Sequence, residues 1–82
     1  MEFKVFCETM FFLIGMEPVQ VIDTTILRDE LDVDSLQMVN LATSLADHYH
    51  IPFSLFIEKA DKMGTVGGLY EIVKKGVSNE FV

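Results

Sequence analysis

The residue best suited to chemistry is Ser35, whose hydroxyl stands between Asp34 and Leu36 at the predicted start of a helix. Asp34, with Gln37 three residues later, fits a capping box, which places the helix start at Asp34 or Ser35. Free backbone N–H groups and the positive end of the helix dipole favour a phosphate group at such a position. Because the sequence contains neither a recognisable nucleophile–base pair nor a metal-binding set, we expect that the chain is not an enzyme.

Three other groups of residues are weaker candidates for chemistry. The acidic residues before Ser35 lack the turn glycine and the later glutamate of a calcium-binding loop, so we interpret them as an acidic rim that partner proteins contact. This acidic rim consists of Asp23, Asp29, Glu30, Asp32 and Asp34. His48 and His50 point to different faces of a helix and are expected at the surface rather than on a metal. Cys7 is the only cysteine and is expected in the core.

The composition is that of one small folded domain covering residues 1–82, with half of the residues hydrophobic. The net charge is −7, and residues 1–34 hold eight acids against Lys4 and Arg28. A nucleic-acid partner would need a basic face, so this charge excludes one and favours basic protein partners. The first residues lack the features of a signal peptide, and no apolar run is long enough to span a bilayer. We therefore expect a cytoplasmic monomer without a membrane span.

Apolar residues recur at helical spacing in four segments, so the predicted fold is all-α: a four-helix bundle with a long first loop and a short third helix. The first predicted helix covers residues 2–14 and has Phe3, Phe6, Met10 and Leu13 on one apolar stripe. The second starts at Asp34 or Ser35 and is stopped by Pro52, the third covers residues 54–62, and the fourth runs from Thr65 to Lys75. Ser54 and Thr65 are the expected caps of the last two helices, and Gly76 is the expected end of the fourth. Four apolar anchors should hold the long loop against the bundle, namely Ile22, Ile26, Leu27 and Leu31.

The second helix is expected to carry the core on one side and the site on another. Its core face should consist of Met38, Leu41, Ala42, Leu45 and Tyr49. A second face is less polar than a protein surface usually is, and it consists of Leu36, Val39 and Thr43. The apolar residues Phe53, Leu55, Phe56 and Ile57 follow this helix, and completing the core is the preferred interpretation over lining a ligand pocket.

The stretch from Leu31 to Leu36 resembles the phosphopantetheine attachment motif of acyl carrier proteins, whose centre reads Asp-Ser-Leu. The lead-in from Ile22 to Leu31 is also similar to the family, as are the second helix with its Ile51-Pro52 exit and the Thr65-Val66-Gly67 start of the last helix. The resemblance covers nearly the whole chain and is weakest over residues 1–15 and 53–63. It implies a single acyl carrier domain with the bundle that this family has.

The resemblance also implies a cofactor and partners. Ser35 would be the attachment residue for a 4′-phosphopantetheine arm, which a phosphopantetheinyl transferase takes from coenzyme A and which holds an acyl group as a thioester. Asp34 would serve as helix cap and in recognition by the transferase. Acyl-loading and acyl-transferring enzymes would contact the second helix, with candidate contacts at Leu36, Gln37, Val39, Asn40, Thr43 and Asp47.

Two departures from the family narrow the function that the resemblance implies. Asp32 stands where the family usually has a glycine, although aspartate also adopts left-handed backbone geometry. Gln37, Asn40 and Ala46 occupy places that are acidic in many fatty-acid carriers, and we assign all three positions to the part of the helix outside its core face. A carrier for one specialised fatty-acid, lipid or polyketide pathway is therefore expected.

Two alternatives remain open. One is an aminoacyl or D-alanyl carrier, which would use the same Ser35. The other is an unmodified helical protein-interaction module, in which the apolar surfaces of residues 38–49 and 53–57 would bind a partner helix.

Overall fold

The computed structural model describes residues 2–79, which form five α-helices and one short 3-10 helix. The α-helices are α1 (Phe3–Leu13), α2 (Leu27–Glu30), α3 (Ser35–Tyr49), α4 (Ser54–Glu58) and α5 (Val66–Asn79), and the 3-10 helix covers Ala60–Lys62. Within this range there is no strand, and the β pairing is limited to an isolated antiparallel bridge between Ile26 and Thr65. The all-α prediction is confirmed. None of the helices within residues 2–79 is long and apolar enough to cross a membrane.

The core lies between α1, α3 and α5, which contact one another, while α4 packs against α5. Each long helix contributes apolar residues spaced four apart, which therefore lie on one face. The fully buried side chains include Phe6 and Met10 of α1, Leu41 and Leu45 of α3, and Leu69 and Val73 of α5. Phe56 is the buried residue of α4. The predicted apolar stripe of the first helix and the core face of the second are confirmed, with their outer members Phe3, Leu13, Met38 and Tyr49 partly buried against the core.

Local backbone signals explain where these helices begin and end. Gly15 adopts a left-handed conformation with φ +69° just after α1, as expected for a glycine that ends a helix. His50 ends α3 in the same way with φ 56°, so the helix stops before Pro52 is reached. Thr65 caps α5 as predicted, because its Oγ1 accepts a hydrogen bond from the Gly68 N–H at 3.1 Å.

Three predicted boundaries are wrong. The third helix is broken into α4 and the 3-10 helix, and its N-cap is Phe53 rather than Ser54, which already lies inside α4. The last helix continues through Gly76 to Asn79. Gly76 is buried against the residues before α4, since an added Cβ would lie 2.8 Å from Ile51 Cγ2. This glycine therefore serves close packing and not helix termination.

The prediction that Ala46 lies outside the core face is also wrong. Ala46 is buried, with 8% of its surface exposed, whereas Gln37 and Asn40 are exposed. The reason is that α3 contacts both α1 and α5, so its buried face is wider than the stripe of one helix contact. Ala46 lies one turn after Ala42 on this wider face, and Ala42 is also buried.

The connection between α1 and α3 is held both by buried side chains and by backbone hydrogen bonds. Leu27 and Leu31 are buried as predicted, but Ile22 and Ile26 are 61% and 42% exposed and are not anchors. Instead, Thr25 is buried, and its Oγ1 accepts a hydrogen bond from the Ile22 N–H at 2.9 Å.

Three backbone hydrogen bonds then join this connection to the start of α5, and we call them the backbone clamp. They run from Leu27 N–H to the Gly64 carbonyl at 3.0 Å, from Val66 N–H to the Thr25 carbonyl at 3.0 Å, and from Gly67 N–H to the Asp23 carbonyl at 2.8 Å.

Candidate functional site

Ser35 is the first residue of α3, and it is exposed. The preceding Asp34 is the N-cap, with extended backbone geometry, and its Oδ1 accepts a hydrogen bond from the Gln37 N–H at 2.8 Å. The Gln37 side chain completes the box, since its Oε1 accepts from the Asp34 N–H at 3.2 Å. The predicted capping box is confirmed. Because both bonds fix the first turn, the Ser35 hydroxyl is held at a defined point on the surface.

The short helix α2 brings a basic side chain to this hydroxyl. Arg28 donates a hydrogen bond from Nη2 to Ser35 Oγ at 2.8 Å. The start of α2 is held by Glu30, whose Oε2 accepts from the Ile26 N–H at 2.6 Å. Between α2 and α3 the chain turns at Asp32, which has φ 58°. This confirms that aspartate supports the left-handed turn here. The turn brings Ser35, at the start of α3, back to Arg28 of α2.

An open groove of about 400 Å³ lies beside Ser35. Its lining includes Ser35 and Arg28 together with the apolar side chains of Ile26, Met38 and Met63. The groove thus places apolar surface from the loop, α3 and the turn before α5 next to one exposed hydroxyl. A flexible group joined to Ser35 would find apolar contacts there.

All six predicted partner contacts are exposed on α3: Leu36, Gln37, Val39, Asn40, Thr43 and Asp47. Leu36 is 71% exposed and Val39 is 53% exposed, which is high for two neighbouring apolar side chains. Residues three and four apart are neighbours on a helix, so the two side chains form with Thr43 one surface that begins next to Ser35. The Thr43 hydroxyl donates to the Val39 carbonyl at 2.8 Å and so faces its own backbone.

The acidic rim remains uncompensated by ion pairs within the described residues. All five of its members are exposed, and the sole ion pair found between residues 2 and 79 joins Lys62 to Glu71, with 3.6 Å between Nζ and Oε2. The rim therefore leaves a negative field around the start of α3.

The other polar candidates occupy the positions expected of them. Both His48 and His50 are exposed. Cys7 is buried, and this burial raises the pKa of its thiol, with a smaller contribution from the negative charge of Glu8.

Of the apolar residues that follow α3, namely Phe53, Leu55, Phe56 and Ile57, only Phe56 is fully in the core, while Ile57 is 64% exposed. The interpretation that they complete the core therefore applies to part of this group. None of that group lines the groove beside Ser35.

Arg28 contacts Ser35 but is not among the site residues that the sequence predicts. It is the only arginine of the chain, and it stands seven residues before Ser35 within an acidic stretch. That isolation is the one signal that the sequence provides. Its contact with Ser35 depends on α2 and on the left-handed turn at Asp32, and neither follows from residue spacing.

The chain was compared with protein-family models, with curated proteins and with solved structures, and none of the three comparisons gave a match.

Proposed function

We propose that this protein is an acyl carrier protein whose Ser35 receives a 4′-phosphopantetheine arm. The observation that supports this most directly is the position of the Asp34-Ser35-Leu36 motif. Its hydroxyl is exposed at the first residue of a capped helix, beside an apolar groove. Among residues 2–79, the Ser35 hydroxyl has Arg28 as its one side-chain hydrogen-bond partner.

The residues around Ser35 fit the group that the motif implies. A phosphodiester on this oxygen would lie at the N-terminal end of α3, where free N–H groups and the helix dipole stabilise negative charge. When attached, the arm would supply a thiol on which an acyl group is held as a thioester. The chain itself presents the hydroxyl, fixes the helix start through Asp34 and Gln37, and leaves the transfer chemistry to partner enzymes.

In this proposal the bundle consists of α1, α3, the short α4 and α5, with α2 as a turn of helix inside the first loop. The phosphopantetheinyl transferase and the acyl-transferring enzymes would dock on Leu36 and Val39, guided by the acidic rim. The protein would act as a cytoplasmic monomer in a specialised fatty-acid, lipid or polyketide pathway.

Intact-mass measurement tests the proposal. The purified protein is incubated with coenzyme A and a promiscuous phosphopantetheinyl transferase, next to a known carrier as active control. One arm is expected on the wild type and none on Ser35→Ala. Ser54→Ala is the matched control, because Ser54 is also exposed at the first residue of a helix but follows Phe53 and not an aspartate. Its modification should equal that of the wild type.

The outcomes separate the alternatives. If the wild type stays unmodified while the control carrier is modified, the carrier proposal is wrong and the unmodified interaction module takes its place. If the arm is added, loading distinguishes acyl from aminoacyl carriers. The modified protein is offered to an acyl ligase with fatty acids and to a D-alanine ligase with D-alanine, and thioester formation is read by mass. Only the first reaction is expected.

The specialised pathway has its own test. Gln37 and Asn40 are exposed and uncharged where many fatty-acid carriers have acids. The modified wild type should be a poor substrate for general fatty-acid elongation enzymes, and the double variant Gln37→Glu/Asn40→Glu should be a better one. Each exposed charge pair contributes about 0.2–1 kcal/mol, so the two changes together should raise kcat/KM by roughly two- to thirtyfold. Efficient elongation on the wild type would contradict the specialised role.

A further inference from the structure

Arg28 is the only Lys or Arg between Lys4 and Lys59. All five acids of the rim lie within six residues of it, yet none of their carboxylates forms an ion pair with its guanidinium within residues 2–79. Two of those carboxylates accept backbone hydrogen bonds instead, from the Ile26 N–H to Glu30 and from the Gln37 N–H to Asp34. The guanidinium is thus directed to the neutral hydroxyl of Ser35, at 2.8 Å.

A neutral hydroxyl is a weak acceptor for the one basic side chain of an acidic surface. Modification of Ser35 would convert the same oxygen into part of a phosphodiester, whose negative charge would lie on the non-bridging oxygens two bonds away. A guanidinium has five N–H donors in a planar fork that matches phosphate oxygens, and charge-assisted hydrogen bonds are stronger than neutral ones. The hydrogen bonding of the Arg28 guanidinium at this position would therefore be stronger after modification than before it.

Resting on the proposed function of Ser35, we propose that Arg28 is a positioning residue for the arm. Its guanidinium holds the phosphodiester on Ser35 and so keeps the first part of the arm at the groove that Ile26, Met38 and Met63 line. Since Arg28 is exposed, the preference for the held arm over the free arm should be modest, about 1.5- to fivefold, and it should decrease with salt.

NMR of the wild type tests this directly, because the guanidinium signals of the chain come from a single arginine. Nitrogen-15 spectra of the side-chain N–H groups are recorded before and after Ser35 is modified, with the mass confirming one arm. The Arg28 signals should shift and exchange more slowly with water in the modified protein, and added NaCl should reverse both changes. Unchanged Arg28 signals on a fully modified protein would overturn the inference while leaving the proposed function intact.

Phosphorus-31 relaxation of the arm provides the second measurement. In the modified wild type the phosphodiester should tumble with the bundle. In modified Arg28→Gln the phosphodiester should move more freely and give a narrower phosphorus-31 line, with a mobile fraction about 1.5- to fivefold larger. Arg28→Lys keeps the charge without the planar fork and should be intermediate. Lys75→Gln is the matched control, since it removes the same charge from an exposed position on α5 and should behave like the wild type. Equal relaxation in the wild type and Arg28→Gln would overturn the inference, and a wild type without an arm would overturn the proposed function instead.

Discussion

Gly67 allows the backbone clamp to close, and replacing it with alanine is the most informative test of the fold. Gly67 lies in the first turn of α5, where its N–H donates to the Asp23 carbonyl at 2.8 Å. An added Cβ would lie 2.6 Å from that carbonyl oxygen and 2.7 Å from Asp23 Cβ. Real Cβ atoms do not approach backbone atoms so closely, so the first loop would have to move away from α5.

Whether Gly67→Ala raises or lowers the free energy of unfolding decides between two arguments. Helix propensity alone predicts that Gly67→Ala stabilises the protein by at most about 1 kcal/mol. Overpacking costs about 1–3 kcal/mol, and a lost backbone hydrogen bond costs about 1 kcal/mol more. We therefore expect a net loss of about 1–3 kcal/mol in the free energy of unfolding, or roughly 5–20 °C in Tm for a domain of this size.

Urea unfolding followed by far-UV circular dichroism measures this free energy. Gly64→Ala is the matched control three residues earlier, since a Cβ there meets nothing within 4 Å and the residue has no positive φ. It should be neutral or stabilising by about 0.4–1 kcal/mol. A Gly67→Ala protein as stable as Gly64→Ala would refute the reasoning, because the clamp would then tolerate a side chain at its tightest point.

Four further predictions follow from residues described above. Ala46→Glu should lower the free energy of unfolding in urea by about 2 kcal/mol or more, because it buries a charge. Exposed Asn40→Glu should change this free energy by no more than about 0.5 kcal/mol, and equal effects of the two variants would contradict the burial of Ala46. Asp34→Ala should lower stability by about 1 kcal/mol and Asp34→Asn by much less, since asparagine still caps, so a large transferase defect in Asp34→Asn would isolate its recognition role. Transferase kcat/KM should fall as salt screens the acidic rim, and a flat profile would reject electrostatic steering. Alkylation of Cys7 should be slower in the folded than in the urea-unfolded protein and should need a higher pH, because burial raises the pKa of the thiol; equal rates would contradict its burial.

Much of the helical framework could be predicted because its signals are local. The stripe of Phe6 and Met10, the capping box of Asp34 and Gln37, and the Thr65 cap each depend on residues within four positions of one another. Such short-range patterns are readable without knowing the neighbouring elements. They also fixed the placement of Ser35, since the start of its helix follows from the cap.

The parts that were wrong or missed depend on contacts between distant segments. Gly76 lies inside α5, where its missing side chain leaves room for Ile51. Ala46 is buried because α3 contacts two helices. The four residues of α2 are too few for an apolar period, so this helix left no pattern to find. With α2 unseen, the contact of Arg28 with Ser35 could not be inferred.

The backbone clamp has a consequence for how this surface can change over generations. Its three hydrogen bonds use main-chain atoms at both ends, so these bonds do not depend on the side chain of Asp23, and the side chains of Thr25 and Leu27 contribute separately through their burial. The exposed acids of this loop that neither cap a helix nor form its turn, Asp23 and Asp29, can therefore be exchanged while the hydroxyl of Ser35 keeps its place. Single substitutions at such exposed positions could thus change the partner, because the buried residues and main-chain bonds that hold the loop would stay the same.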